Sequence, residues 1–210
     1  MRTLLCACTL LLLTALATVS IAKADANLVT NGGFETVGDY IGTGLYQATG
    51  WTIIDSSSAT GIYSTLLSPG TGYPGTLGLY QAEGSSFLWG GGYHGQTGTI
   101  ATQHLATSNQ TYYLDFSLAN TNNNLAVHNS WFVSWNVSTL FSETGVSDFG
   151  YKSYHAIVSG TGHDTLQFGF NNEPGAFALD KVSVSAVPIP SAAWLLGSAL
   201  LGLVGFRRKK

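Results

Sequence analysis

A chain of 210 residues carries a net charge of −3, yet only 9% of its side chains are charged, against about 25% in an average soluble domain. Six of the eight cations stand at the ends (Arg2, Lys23, Arg207, Arg208, Lys209, Lys210), so between Asp25 and Val187 only Lys152 and Lys181 face eleven acids, and the middle stands at −9. That excludes nucleic acid as a partner, which needs a basic footprint, while five Trp, ten Tyr and ten Phe exclude a disordered chain.

Met1-Arg2 is a short positive start, and residues 4–22 carry no charge before the small-x-small tripeptide Ala22-Lys23-Ala24. Positive start, apolar run and small-residue site predict a secretory signal peptide over residues 1–24, cut by signal peptidase. Ser20-Ile21-Ala22 offers a second site. Both cysteines, Cys6 and Cys8, fall inside this segment, so the mature chain has neither disulfides nor thiolate chemistry. With only seven residues before it, Cys8 is not a lipoprotein cysteine.

Residues 25–186 form the predicted domain. It opens with Asn27-Leu-Val-Thr-Asn-Gly-Gly-Phe-Glu35, followed by Gly50-Trp51 and a Gly/Ser/Thr/Pro-rich stretch over 56–78 that reads as loops. Tyr112, Leu114, Phe116 and Leu118 then alternate with Tyr113, Asp115 and Ser117. Trp131, Val133, Trp135 and Val137 alternate with Phe132, Ser134 and Asn136, and Leu166, Phe168 and Phe170 with Gln167, Gly169 and Asn171. Val182, Val184 and Ala186 close the series. Period-two alternation, broken by Gly and Asn clusters, predicts an all-β fold, an antiparallel jelly-roll β-sandwich.

The order of these motifs, from Asn27–Glu35 through Gly-Trp to Asp164–Asn172 and Leu179-Asp-Lys-Val-Ser-Val184, resembles the galactose-binding-like jelly rolls related to bacterial carbohydrate-binding modules. In a jelly roll whose terminal strands lie side by side, Glu35 and Asp180 meet. Two carboxylates with backbone carbonyls make the hard oxygen cage that Ca²⁺ prefers. The resemblance implies the same structural Ca²⁺, held by a Glu of the first motif and an Asp of the last, although Lys181 puts a cation where relatives often carry a second Asp. The alternative is that Glu35 accepts turn N–H bonds and Asp180 caps a bulge. For stacking on sugar rings, Trp131 and Trp135 share a face with Val133 and Val137 and read as core. The exposed carbohydrate-binding candidates are those in glycine loops, Tyr93 and Trp89.

Enzyme signatures are sparse. The five histidines show no H-E-x-x-H spacing, and no G-x-S-x-G elbow occurs. His163-Asp164 reads as a turn dipeptide. Gly70-Thr-Gly-Tyr-Pro-Gly75 matches G-x-G-x-x-G literally, but its internal Pro74 makes it a loop.

The end of the chain is Val187-Pro188-Ile189-Pro190, then an apolar run through Trp194 to Phe206, then Arg207-Arg208-Lys209-Lys210. Its 18 uncharged residues from Ile189 to Phe206 make a transmembrane helix of about 27 Å, close to a bilayer core of about 30 Å. The terminal cations belong on the cytoplasmic side and Trp194 at the opposite interface. Residues 187–210 resemble the PEP-CTERM sorting signal of exopolysaccharide-producing Gram-negative bacteria, in its Val-Pro-x-Pro variant. The motif residues are Val187, Pro188, Pro190, Trp194, Arg207 and Arg208. The resemblance implies recognition and cleavage by an exosortase, with Ile189 in place of the commoner Glu. The resulting expectation is an exported surface or matrix protein that crosses the inner membrane transiently and associates, without catalysis, with extracellular polysaccharide. A glycan-active hydrolase and a structural coat protein without ligand are the alternatives.

Overall fold

The computed structural model describes residues 26–42, 45–54, 61–64, 81–91, 98–121, 128–173 and 175–188. The expected signal peptide, Tyr93, the Gly70–Gly75 loop and everything in the expected sorting tail beyond Pro188 lie outside them. Residues 26–187 form one compact unit. Among the described residues the regular structure is all β, and no helix is long and apolar enough to cross a membrane.

Twelve strands follow one another: β1 (Val37–Gly42), β2 (Leu45–Ala48), β3 (Thr52–Ile54), β4 (Gly61–Ser64), β5 (Ser86–Gly90), β6 (Thr99–Ala106), β7 (Thr111–Thr121), β8 (His128–Trp135), β9 (Ser138–Thr144), β10 (Phe149–Ser159), β11 (His163–Glu173) and β12 (Ala176–Ala186). They build a seven-stranded sheet in the order β1-β2-β4-β5-β12-β7-β10 and a five-stranded sheet in the order β3-β6-β11-β8-β9. The chain repeatedly crosses from one sheet to the other, as a jelly roll does.

Alternation explains the packing. Tyr112, Leu114, Phe116 and Leu118 of β7 are all buried, as are Leu166, Phe168 and Phe170 of β11 and Val182, Val184 and Ala186 of β12. Phe116 is central, with its ring centroid 5.0 Å from Tyr154, 5.2 Å from Phe168, 5.7 Å from Phe141 and 6.3 Å from Trp131. Mostly edge-on contacts of this kind suit the quadrupoles of aromatic rings. Val137 departs from the expectation, being fully exposed. β8 ends at Trp135, and Asn136, with φ of 54°, turns the chain into β9. Asn tolerates this left-handed backbone better than most residues, so the alternation stops two residues early.

The opening motif is a wiring device. Leu28 N–H donates to Val184 O (2.8 Å), and Val182 N–H donates to Gly32 O (2.9 Å). Asn27 Oδ1 accepts from Val184 N–H (2.9 Å) and Val29 N–H (3.0 Å), so residues 27–32 lie along β12. Asn31 donates to Thr36 O and Thr49 O and accepts from Thr36 N–H. Its carbonyl takes the Trp51 indole N–H, and Trp51 packs 5.5 Å from the fully buried Phe34. Gln103 of β6 joins the second sheet to this motif, donating to Thr30 O and Gly50 O and accepting from Thr30 N–H.

His163-Asp164 is the start of β11, not a turn. Asp164 is buried and accepts hydrogen bonds from the Asn136 amide, the Thr107 hydroxyl and both the N–H and hydroxyl of Thr161. Burial alone would raise its pKa, but these donors outweigh burial and hold it at about 2. Nearby, Tyr112 OH accepts from Ser108 N–H (2.9 Å), a tyrosine corner that fixes the chain entering β7.

Candidate functional site

The carboxylates of the first and last motifs reach the same turn. β12 is bulged against β7: Asp180 lies opposite Ser117 and Ser183 opposite Asp115, with Lys181 at φ 56°. Asp180, fully buried on the outer face of the seven-stranded sheet, accepts Lys181 N–H at Oδ1 (2.7 Å) and the N–H groups of Ala82 (2.8 Å) and Glu83 (3.0 Å) at Oδ2. Glu35 Oε1 accepts the next pair, Ser85 N–H (2.8 Å) and Ser86 N–H (3.0 Å). Between the pairs stands Gly84 at φ 58°, where a Cβ would collide with the Glu35 carboxylate.

Burial drives the Asp180 pKa up to about 6. The N–H donors oppose that rise and the Glu83 charge adds to it. Lys181 Nζ lies 3.4 Å from Glu83 Oε2, on the exposed side of the turn. Gln81 Oε1 and the Tyr151 hydroxyl are buried without a hydrogen-bond partner, and burial and the Asp180 charge push the Tyr151 phenol well up. The turn thus has three carboxylates, Glu35, Glu83 and Asp180, and one cation, Lys181. No group of three or more His, Cys, Asp or Glu placed to hold a metal occurs among the described residues.

Trp89 does not offer a face to solvent. It points outward from β5 but is 5% exposed, packed with Leu45, Phe87, Ala119, Ala176 and Ala178. All four tryptophans of the domain are buried, at 8% exposure or less. The expected stacking role of Trp89 is thus corrected: the glycine run beside it does not leave the ring exposed.

Tyr40 and Tyr113 are exposed on the seven-stranded sheet, and a half-buried aromatic, Phe132, faces outward on the other. Outward positions of the five-stranded sheet fall into rows set by register. Ile54, Ile100, Gly169, Phe132 and Ser142 make one, and Thr52, Thr102, Gln167 and Ser134 make the next. Asn171 and Ser130 flank the first row on its other side. The half-buried Phe132 ring lies over Gly169 so closely that a Cβ there would run into it. A shallow cavity of about 200 Å³ opens here, lined by Ile100, Ser130, Phe132, Gly169 and Asn171 among others. A wider groove of about 450 Å³ runs beside Ile41, Gln47, Thr49 and Ile53, but its one aromatic, Trp51, is already spent in the core. The sequence hints at the platform only through Phe132 and Gly169 falling at outward positions of neighbouring strands.

On the seven-stranded sheet, Ser183, Asp115 and His155 stand in one row, with His155 Nδ1 on Asp115 Oδ1. A hydrolytic triad needs the histidine between serine and carboxylate, whereas here the carboxylate is central.

No family model and no curated protein matches the chain. Solved structures do. The K3 cleaved adhesin domain of Lys-gingipain from Porphyromonas gingivalis is similar at a TM-score of 0.51 and 14% identity, over 79% of this chain and 99% of that one. The fold is shared. Two carbohydrate-binding modules are similar at a TM-score of 0.49 and 14% identity: TmCBM61, solved with β-1,4-galactotriose, over 77% of this chain and 99% of that one, and the CBM22-1 xylan-binding domain of Paenibacillus barcinonensis Xyn10C, over 80% and 99%.

The Asp180 environment fixes a pH signature. Its folded pKa of about 6 exceeds its ordinary 3.8, so its contribution to stability is fully present below about pH 4 and lost as pH rises through about 6. Asp180→Asn has no such dependence. In chelator, wild type should therefore gain on Asp180→Asn by on the order of 2–3 kcal/mol between about pH 7.5 and pH 4. Thermal melts of both proteins across that range check it, and a constant gap would refute the assignment.

Proposed function

We propose that the domain binds polysaccharide without transforming it, through the outer face of its five-stranded sheet. One observation carries the reading: the Phe132 ring covers Gly169 with hydroxyl and amide side chains on both flanks. The apolar face of a sugar ring can rest on the phenyl ring while its hydroxyls meet Ser130, Thr102, Gln167 and Asn171. Phe132→Ala should lower retention on polysaccharide from the producing cell by about tenfold, or ~1.4 kcal/mol, with the polymer left at full length. Equal retention of wild type and Phe132→Ala in affinity electrophoresis would sink the proposal, and shortened polymer would indicate a hydrolase instead.

Delivery to that polysaccharide follows from the two ends. The reading is export by signal peptidase and the inner membrane, then exosortase cleavage near Val187–Pro190, leaving the domain at the surface or in the matrix of a Gram-negative cell. It is supported by the proline motif, apolar run and cationic stop of residues 187–210. Intact-mass measurement of surface-located protein should show chains without Phe206. Molecules that mostly keep the Arg-Arg-Lys-Lys end would rule it out.

Structural Ca²⁺ at Glu35 and Asp180 belongs to the same reading. Its support is that Glu35 and Asp180 reach the same turn, with the Glu83 charge acting on Asp180. The ion would add positive charge beside the carboxylates and tie the opening motif to β12. At a hundredfold excess over its dissociation constant it should add about 2.7 kcal/mol, or several degrees of melting temperature, and Asp180→Ala should lose that response. Identical melts with and without chelator would exclude the ion.

A further inference from the structure

Resting on the glycan-binding reading of this face, we infer that its ligand is an uncharged oligosaccharide chain laid across the strands, from Ile54 on β3 to Phe132 on β8. The direction comes from register. Ile54 pairs with Ile100, Ile100 with Gly169, and Gly169 with Phe132, so apolar side chains line up perpendicular to the strands. Along β11, by contrast, the outward residues Thr165, Gln167 and Asn171 are polar. Three interstrand steps separate β3 from β8, about 14 Å at the usual spacing. That length suits several linked rings and exceeds a single one.

The charge state comes from what flanks the strip. Thr52, Thr102, Gln167 and Ser134 run along one side, Ser130 and Asn171 along the other, and none of them ionises. An anionic glycan, bearing uronate or sulfate, is normally met by Arg or Lys. The domain's two lysines both sit on the other sheet and are already engaged, Lys181 with Glu83 and Lys152 over the Phe149 ring at 4.5 Å. A net −9 over residues 25–187 adds general repulsion. Neutral hydroxyls and a CH-rich ring face are the chemistry this strip complements.

The test is affinity electrophoresis of the full-length chain in a sugar-free detergent. Gels carry either neutral polymers (β-1,4-galactan, xylan, glucomannan) or acidic ones (polygalacturonate, alginate, dextran sulfate). At least one neutral polymer should retard the protein, equally at low salt and at about 1 M, where the screening length is about 3 Å. The acidic polymers should not. Ile54 is 64% exposed, so Ile54→Ala should keep its melting temperature and lose affinity several-fold. Retardation by acidic polymers, alone or beside neutral ones, overturns the charge assignment while leaving glycan binding intact. Unchanged affinity of Ile54→Ala overturns the crosswise placement. No retardation by any polymer overturns both this inference and the glycan-binding reading beneath it.

Discussion

Gly32 lies so close to the backbone of Val182 that any side-chain carbon there would run into its carbonyl, and the sandwich is organised around this contact. Holding residues 27–32 against β12 brings the two ends of the domain together. Asn31 and Trp51 can then pin the first corner, and Gln103 can bind that corner to the second sheet. The bulge at Lys181 follows on the same strand and turns Asp180 toward the 82–86 turn. A motif that reads like a binding signature is in large part a set of side chains satisfying backbone groups that no ladder reaches.

Much of the sandwich was legible because its strands are half-buried, so inward and outward residues differ in chemistry. β7, β11 and β12 announce themselves this way. Trp89 was misread because β5 is buried on both faces, where alternation disappears and a neighbouring glycine run suggests exposure. Val137 was misread because a period continues on paper past a turn that Asn136 makes in space. Phe132 stands out in the sequence only as alternating with the core residues of β8, and its meaning depends on Gly169, 37 positions away and on another strand; one-dimensional pattern cannot pair them.

The two buried carboxylates illustrate how little residue type alone says. Asp164 and Asp180 both expose almost no surface, yet one is held near pKa 2 and the other, more deeply set, near 6. Asp164 takes side-chain and backbone donors from three separate segments. Asp180 takes three backbone donors but shares its turn with Glu83. At Asp180 the deeper burial outweighs the donors, and at Asp164 the donors outweigh the burial.

The position of β12 has a mechanical consequence. It is the last strand before the chain leaves the domain, and it sits inside its sheet, bonded to β5 on one side and β7 on the other. Tension entering through Val187, itself bonded to Thr111 O at 2.9 Å, loads both flanks of the strand lengthwise and at once. Extraction therefore means shearing two ladders together instead of peeling one open rung by rung. A strand that leaves its sheet from the middle resists a pull on its end more than an edge strand would.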